Sequence, residues 1–267
     1  MNSVADYQLL EELSEGNHGT FHVARTPSRL GIDDPLVTVK VLHLTATDAA
    51  FAGFARELRA IVAAGSPYLT TLLDAGQAGG RLFYAVPHYA SGSLASVGHD
   101  VDVIVRAVAD AARGAHDLHE LGVAHRDIRP SNVMVTDDGG GHLADLGLAT
   151  AGSLGTMTVG VGPIGTVEYM EPEVVMGERA GRASDIWSLA ITAHEALTGV
   201  TCHPTLPRDS AIAAFRHVVH EPPALHPDLD PALAAVIARA LAPSRADRHP
   251  TALDFALDLE RAGGRTS

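Results

Sequence analysis

Short runs of β-branched and apolar residues, separated by glycine and polar turns, dominate the first third of the chain. Such runs are typical of strands. We predict strands at Tyr7–Leu13, Thr20–Ala24, Leu36–His43, Leu69–Leu73 and Leu82–Val86. Between the third and the fourth, Asp48–Ala64 repeats apolar residues at helical spacing, which predicts a helix. The first third therefore predicts a small twisted sheet with one helix.

The hydrophobic period changes to a helical one after Pro87. The new spacing predicts helices at Val101–Leu121, Ser184–Thr198, Pro231–Leu241 and Ala252–Arg261. Two short β-like pieces are predicted at Asn132–Thr136 and His142–Ala144. The predicted fold class is α+β, with a small β-rich lobe joined to a larger, mostly helical lobe. These elements alone are compatible with many folds and indicate no function.

Composition narrows the class of partner. The chain has 267 residues, 46% of them hydrophobic, and a formal charge of −13. That charge, with no basic run to offset it, argues against nucleic acid or an anionic membrane as a partner. The single cysteine, Cys202, rules out an intrachain disulfide and predicts a cytoplasmic protein. No apolar stretch reaches the roughly 18 residues of a transmembrane helix, and no signal-peptide core is present.

Lysine and arginine together number 19 in this chain, and Lys40 is the only lysine among them. It lies in a predicted strand and follows Gly16-Asn17-His18-Gly19, a turn whose glycines would let backbone N–H groups approach phosphates. Glu57, on the predicted helix, could hold its ammonium in an ion pair. Glycine turns are also common in ordinary hairpins, and a surface lysine and glutamate remain an alternative. That alternative leaves unexplained why this lysine alone escaped replacement by arginine.

The segment His125–Asn132, followed by Asp145-Leu146-Gly147, carries the strongest chemical signal. Asp127 could accept the proton of an attacking hydroxyl, and Asn132 and Asp145 could ligate a metal ion. Mg²⁺-assisted phosphoryl transfer requires an acid/base carboxylate and oxygen ligands of this kind. A single loop aspartate more often caps a helix or stabilises a turn. The ordered combination therefore carries the hypothesis.

These motifs resemble those of the eukaryotic-like Ser/Thr protein kinases, including their bacterial members, over Tyr7–Arg261. The resemblance implies a single kinase domain over residues 1–267 with ATP in a cleft between two lobes. The N-lobe would cover about residues 1–87, the hinge 86–91 and the C-lobe about 92–262. ATP and Mg²⁺ are the implied cofactors, and a protein with a Ser/Thr acceptor is the implied substrate.

The resemblance is carried by motifs along the whole chain. Those in the first part are the glycine loop, the strand lysine motif and the helix glutamate: Ser14–Phe21, Val37–Lys40 and Glu57. Those in the second part are the catalytic loop, the metal triplet, the end of the activation segment and the start of a large helix: His125–Asn132, Asp145–Gly147, Gly165-Thr166 with Met170–Glu173, and Ser184–Leu189. Arg248 stands where the family has an arginine that pairs with the segment glutamate, here Glu173.

The family's functional residues map onto this chain one by one. The implied catalytic residues are Asp127, Lys40, Glu57, Arg129, Asn132 and Asp145, with Asn132 and Asp145 as Mg²⁺ ligands. The implied nucleotide-binding residues are Ser14, Gly16, Gly19, Phe21, Thr38, Lys40, Val86, Pro87, Tyr89 and Met134. In the hinge, the Pro87 carbonyl would bind the adenine amine and the Tyr89 N–H a ring nitrogen. A proline suits the first of these positions because only its carbonyl is used.

Several residues depart from the family pattern. Ser14 replaces the first glycine of the loop, and Leu146 replaces a phenylalanine. Phe21 and Thr38 replace a valine and an alanine whose side chains face adenine, so their bulk could narrow the pocket. Arg129 replaces the lysine that contacts the transferred phosphate. The positive charge is kept, but a planar, forked guanidinium replaces the compact ammonium.

Three functions are compatible with these residues. The first is an active Ser/Thr protein kinase, since every polar group of the reaction is present. The second is a pseudokinase that acts as a nucleotide-binding or scaffolding module, which the changes at Phe21, Thr38 and Arg129 favour. The third is a small-molecule phosphotransferase of similar fold. The segment Gly165–Glu173 and the pair Asp185 and Trp187 favour a protein substrate over that third function. Arg129-Pro130 and Thr166 follow the Ser/Thr rather than the tyrosine pattern.

Regulation is predicted to depend on the activation segment and on a partner. Arg126 stands where the family reads a phosphate on that segment, and Thr156 and Thr158 are the expected acceptors, Thr166 being structural. The alternative is that these threonines are ordinary loop residues. We expect no sensor domain or anchor in this chain, so a regulatory partner protein would supply the signal. The HxxH pairs His116/His119 and His217/His220 lack the cysteines or the HExxH motif that would indicate a metal site.

Overall fold

The structure is a computed structural model that describes residues 3–16, 19–45, 55, 58–145 and 164–264. The chain divides into two compact units, with a boundary between His88 and Tyr89. Among described residues, the first unit holds those up to Gly65 and Thr70–His88. The second holds Ser66–Leu69 and the described residues from Tyr89 onward. The first unit is β-rich and the second mostly helical, so the α+β prediction is confirmed.

The first unit is built on an antiparallel six-stranded sheet with strand order β1-β2-β3-β4-β6-β5. Its strands are β1 Ser3–Val4, β2 Tyr7–Gly16, β3 Gly19–Arg25, β4 Leu36–Thr45, β5 Asp74–Ala78 and β6 Arg81–Pro87. A helical segment, α1, covers residues 58–64. The predicted strands that contain Tyr7, Thr20, Lys40 and Tyr84 are all present in this sheet.

Both faces of the sheet are packed. Val37, Val39 and Val41 point to one face, where they join a core with Phe83 and Tyr7. The alternate residues of a strand point to the opposite face. There Leu42, Leu82 and Tyr84 pack with Leu58 of α1. Thr38 and Lys40 belong to this second face, because they alternate with the three valines of β4.

The predicted strand Leu69–Leu73 is wrong. Leu69 forms only an isolated bridge with Leu143, and the strand at this point of the chain is β5, Asp74–Ala78. The run of leucines belongs to irregular backbone whose side chains are still buried. Leu69 is buried, and Leu72 and Leu73 pack against the sheet cores. The edge strand β5 can consist of small and polar residues, because backbone hydrogen bonds to β6 hold it in the sheet.

The second unit is organised around two helices, α2 Val101–Glu120 and α4 Arg182–Thr198. The remaining elements are β7 Val133–Val135, β8 Gly141–Leu143, α3 Pro172–Val175, α5 Ala211–His220, α6 Pro231–Ala240 and α7 Ala252–Ala262. Helix α2 packs against α4, α7 and the β7–β8 hairpin. A glycine is required at position 141, because a Cβ there would lie 2.3 Å from the Ala107 carbonyl oxygen. The close approach of β8 to α2 fixes the position of the β7–β8 hairpin, which connects Asn132 to Asp145 along the chain.

No helix in the described part of the chain is long and apolar enough to cross a membrane.

Candidate active site

Lys40 lies on β4 between Phe21 of β3 and Tyr84 of β6, which are its partners in the two neighbouring strands. It is only 2% exposed. Its ammonium lies 4.6 Å from the centroid of the Phe21 ring and 6.0 Å from that of the Tyr84 ring. Lysine is almost never buried unless its charge has partners, so this burial excludes the surface-lysine alternative. Glu57, its predicted ion-pair partner, lies outside the described residues.

The other predicted nucleotide-binding residues of the first unit lie around the same face of the sheet. Thr38 is buried, pairs with Val86 across β4 and β6, and its Oγ1 is hydrogen-bonded to His88 Nδ1 at 3.2 Å. Gly19 is also buried, and a Cβ there would lie 2.5 Å from the Val41 carbonyl oxygen. Packing alone therefore requires that glycine. Ser14 is exposed and Gly16 ends β2, whereas residues 17 and 18 of the glycine turn lie outside the described residues.

In the second unit, the backbone of the predicted catalytic loop is held by the carboxylate of Asp185, which is fully buried in the first turn of α4. Its Oδ2 accepts a hydrogen bond from the His125 N–H, and its Oδ1 accepts one from the Arg126 N–H, both at 2.8 Å. His119 of α2 contacts Oδ2 through Nε2 at 2.7 Å. Arg126 has a φ of 71°, a left-handed conformation that costs a non-glycine residue about 1–2 kcal/mol. The bond to Asp185 helps to hold this conformation.

Asp127 and Asn132 are joined by direct hydrogen bonds. The Asn132 Nδ2 donates to the Asp127 carbonyl oxygen at 2.7 Å and to its Oδ2 at 3.0 Å. The Ala144 N–H donates to the Asn132 carbonyl oxygen at 2.8 Å, which ties the loop to the residue before Asp145. The fold thus brings Asp127 and Asn132 together and fixes the backbone next to Asp145. All three had been selected from their order in the sequence.

The donor atoms at this point suit a magnesium ion. Because the Asn132 nitrogen is engaged by Asp127, the amide presents Oδ1, and Asp145 offers a carboxylate. Mg²⁺ prefers oxygen ligands and usually takes only one or two from protein side chains, with water and phosphate oxygens as the others. In the part of the chain that the structure describes, no group of three or more His, Cys, Asp and Glu could hold a metal. Asn132 and Asp145 therefore suit the one or two protein ligands of a nucleotide-bound Mg²⁺.

Arg129 is oriented within its own loop. Its Nε donates to Ser131 Oγ at 2.6 Å, and that hydroxyl lies 3.4 Å from Asn132 Oδ1. The side chain is half-buried. The contact with Ser131 uses one edge of the guanidinium and holds that group against the loop that carries Asp127.

Tyr89, the predicted hinge tyrosine, has a side-chain partner that the sequence did not indicate. The Tyr89 Oη is hydrogen-bonded to His142 Nδ1 at 2.8 Å, and the two rings meet edge to face with centroids 5.6 Å apart. Burial lowers the pKa of His142, so the imidazole is favoured in its neutral form. His142 lies on β8 opposite Met134 of β7. The contact therefore links the predicted hinge residue to the hairpin that leads to Asp145.

Comparison with known proteins identifies the family of this chain. The protein kinase domain family matches residues 7–252. This chain belongs to that family. The serine/threonine-protein kinase PknB of Mycolicibacterium smegmatis is 34% identical over 274 residues, which cover 96% of this chain and 42% of that protein. PknK, a serine/threonine-protein kinase of Mycobacterium tuberculosis, is 33% identical over 265 residues, 96% of this chain and 23% of that protein. The family prediction is confirmed.

A solved structure gives the same fold. The crystal structure of the Mycobacterium tuberculosis PknI kinase domain has a TM-score of 0.68 with this chain and is 24% identical, covering 98% of this chain and 97% of that one. The similarity supports the kinase fold alone, given the low identity. This kinase domain spans about two fifths of the length of the PknB relative.

Arg248 of the kinase domain has a closer partner than the predicted one. Both Glu173 oxygens lie 3.4 Å from its guanidinium, so the predicted pair exists, but the same guanidinium bonds more tightly to the buried Glu171. Arg245 donates to Glu171 as well, at 2.5 Å, and Ser184 donates a further bond. Burial alone would raise the pKa of Glu171, but these donors outweigh it and hold the pKa below its usual value.

In the sequence, Glu171 stands out only as part of the motif Met170–Glu173. Its signal was the presence of two arginines, Arg245 and Arg248, three residues apart near the end of the chain. Thr166 lies half-buried in the 3₁₀ helix Ile164–Tyr169. The expectations for Leu146, Thr156 and Thr158 fall outside the described residues.

Proposed function

We propose that this chain is an ATP- and Mg²⁺-dependent protein kinase that transfers the γ-phosphate to Ser/Thr hydroxyls and phosphorylates its own activation segment. The observation that carries the proposal is the pair of hydrogen bonds by which Asn132 holds Asp127, on a loop fixed by Asp185. Positioning and electrostatic stabilisation supply most of the catalysis of phosphoryl transfer. A fixed carboxylate beside an amide oxygen provides both.

Each residue has a role in one balanced step. Asp127 accepts the proton of the substrate hydroxyl while the hydroxyl oxygen bonds to the γ-phosphorus. The bond between that phosphorus and the β–γ bridging oxygen breaks, and ADP leaves. Lys40 holds the α- and β-phosphates, and Arg129 contacts the transferred group. Asn132 and Asp145 would hold Mg²⁺, which when bound neutralises charge on the phosphate oxygens. The Pro87 carbonyl and the Tyr89 N–H would bind adenine.

Incubation with γ-³²P-ATP and Mg²⁺ tests the function. We expect label on the chain and on a Ser/Thr-rich acceptor such as casein, with phosphoserine or phosphothreonine as the product. No label should be incorporated when EDTA removes the Mg²⁺. The Asp127→Asn variant is the matched control, because it keeps the shape of the side chain and removes the base. Mg²⁺-dependent nucleotide binding without any transfer would instead favour the pseudokinase.

The same sample tests regulation. We propose that Thr156 or Thr158 receives the phosphate and that Arg126, which is exposed, reads it. Mass spectrometry should locate the phosphate on one of these threonines in the wild type and find none in Asp127→Asn. A fully active chain with an unmodified segment would contradict this part of the proposal.

The proposal extends to location and partners. We propose a cytoplasmic kinase that acts on a protein substrate under the control of a regulatory partner protein, without nucleic acid or membrane as a partner. The buried, unpaired Cys202 and the charge of −13 support this setting. Fractionation of cells that express the natural gene tests the location, and a membrane-bound pool would contradict it.

Replacing Arg129 by alanine is expected to lower kcat by about 10²–10³-fold, the usual cost of removing a donor that stabilises transition-state charge. Arg129→Lys should keep activity, because the charge is retained. Ser131→Ala is the matched control, since it removes the 2.6 Å contact that orients the guanidinium, together with a weak 3.4 Å contact to Asn132 Oδ1, and should cost far less. Initial rates at saturating ATP measure these effects. An alanine variant as fast as the wild type would remove Arg129 from the mechanism.

Replacing Tyr89 by phenylalanine is expected to raise the KM for ATP about threefold to tenfold while kcat stays nearly constant, since a single hydrogen bond contributes roughly 0.5–1.5 kcal/mol. The change removes only the oxygen that contacts His142, and the backbone N–H proposed for adenine stays. His142→Ala should have the same effect, and the double variant should be no worse than either single one. His142→Gln, which restores a polar partner, should recover part of the loss. Additive effects would show that the two side chains act independently.

A further inference from the structure

Three side chains form a row across the middle of the six-stranded sheet. Phe21 is directly opposite Lys40 in the β3–β4 pair, and Lys40 is directly opposite Tyr84 in the β4–β6 pair. Directly opposite residues share a face and bring their side chains into contact. The strand pairing itself therefore places the only lysine of the chain between two aromatic rings. The family pattern has a valine at position 21, which could not form this row.

The geometry of the row is that of a cation–π contact. The Lys40 ammonium lies 4.6 Å from the Phe21 ring centroid, well inside the roughly 6 Å limit of such contacts, and 6.0 Å from that of Tyr84. Lys40 is 2% exposed, so little water screens the attraction. Desolvated contacts of this kind are the strong ones, whereas exposed ones contribute little. A flexible four-carbon stem that would otherwise sample many rotamers is held in one position.

We propose that Phe21 and Tyr84 form an aromatic clamp that positions the Lys40 ammonium for the phosphates of the nucleotide. Phe21 is then a positioning residue that acts through Lys40, and its effect depends on the π face of its ring and not only on its bulk over adenine. The inference rests on the proposed function, because it assigns the ammonium to the nucleotide phosphates.

Comparison of ADP with adenosine tests the clamp, because adenosine lacks the phosphates that Lys40 would hold. Phe21 is replaced by leucine and, with the same ring shape but no π face, by cyclohexylalanine. Calorimetry with Mg²⁺ should show a Kd for ADP that rises about threefold to thirtyfold in both variants. The loss of affinity for ADP should exceed any loss for adenosine by at least about threefold, most clearly with cyclohexylalanine, which keeps the bulk over adenine. In a Lys40→Met background, the same replacements should change the affinities for ADP and adenosine by the same factor.

A second readout needs no nucleotide. With ¹³C-labelled lysine, the single lysine of the chain gives one set of side-chain signals. The ring currents of the clamp should shift the Lys40 ε-protons upfield, and the shift should shrink in both Phe21 variants.

The outcomes separate the clamp from the proposed function. If ADP and adenosine lose affinity equally, Phe21 acts on adenine alone and the clamp is wrong. If neither changes and the wild type binds ADP, the clamp is wrong and the proposed function stands. If the wild type binds no ADP, the proposed function fails and the clamp fails with it.

Discussion

Replacing Lys40 by methionine is expected to abolish phosphotransfer and to leave the fold intact. Methionine matches the length of the lysine stem and carries no charge, so it suits a position that is 2% exposed between two aromatic rings. Losing the ammonium removes a charge-assisted contact to the phosphates. We expect kcat/KM for ATP to fall by at least about 10³-fold, since removal of one preorganised donor alone costs about 10²–10³-fold.

The experiment compares initial rates and thermal unfolding of the wild type, Lys40→Met and Lys40→Arg. The arginine variant is the matched control, because it keeps the charge and changes its shape. We expect it to retain more activity than methionine and less than the wild type. An ATP analogue with a lysine-reactive acyl phosphate provides an independent check, since Lys40 is the only lysine it could label. Normal turnover by Lys40→Met would show that the phosphates bind elsewhere.

The parts of the site that sequence could predict are those that depend on local order. The loop His125–Asn132 contains its own interactions, because Asn132 reaches back to Asp127 over five residues. The strand that carries Lys40 was visible as a run of β-branched residues. In both cases the residue types and their spacing nearly determine the chemistry.

The parts that sequence could not predict depend on pairing between distant segments. Phe21 and Lys40 meet because of the register of β3 with β4, which a shift of one residue would destroy. His142 reaches Tyr89 across 53 positions, and Glu171 reaches Arg248 across 77. No local pattern specifies such contacts. The strand β5 was missed for a related reason, since its small and polar residues are ordered by the ladder with β6.

Asp145 combines a chemical role with an unusual backbone. Its φ is 57°, in the left-handed region that aspartate and asparagine tolerate better than other residues with a side chain. The neighbouring backbone is fixed by two contacts: the Ala144 N–H donates to the Asn132 carbonyl oxygen at 2.8 Å, and the Ala144 carbonyl oxygen lies 3.1 Å from His125 Nε2. A substitution at this position can therefore affect both metal binding and the stability of the fold.

Replacing Asp145 by alanine is expected to abolish phosphotransfer and the stabilisation by nucleotide that depends on Mg²⁺. The carboxylate is one of two proposed side-chain ligands, and its loss removes charge that holds the metal, an effect of several kcal/mol. Asp145→Asn is the matched control, because it also removes the charge and still tolerates a positive φ. Thermal unfolding with ADP, with and without Mg²⁺, measures both properties. Both variants should lose the Mg²⁺-dependent rise in Tm, and alanine should be about 1–2 kcal/mol less stable than asparagine, the cost of a left-handed backbone. If the Mg²⁺-dependent rise is as large in the variants as in the wild type, Asp145 is not a metal ligand.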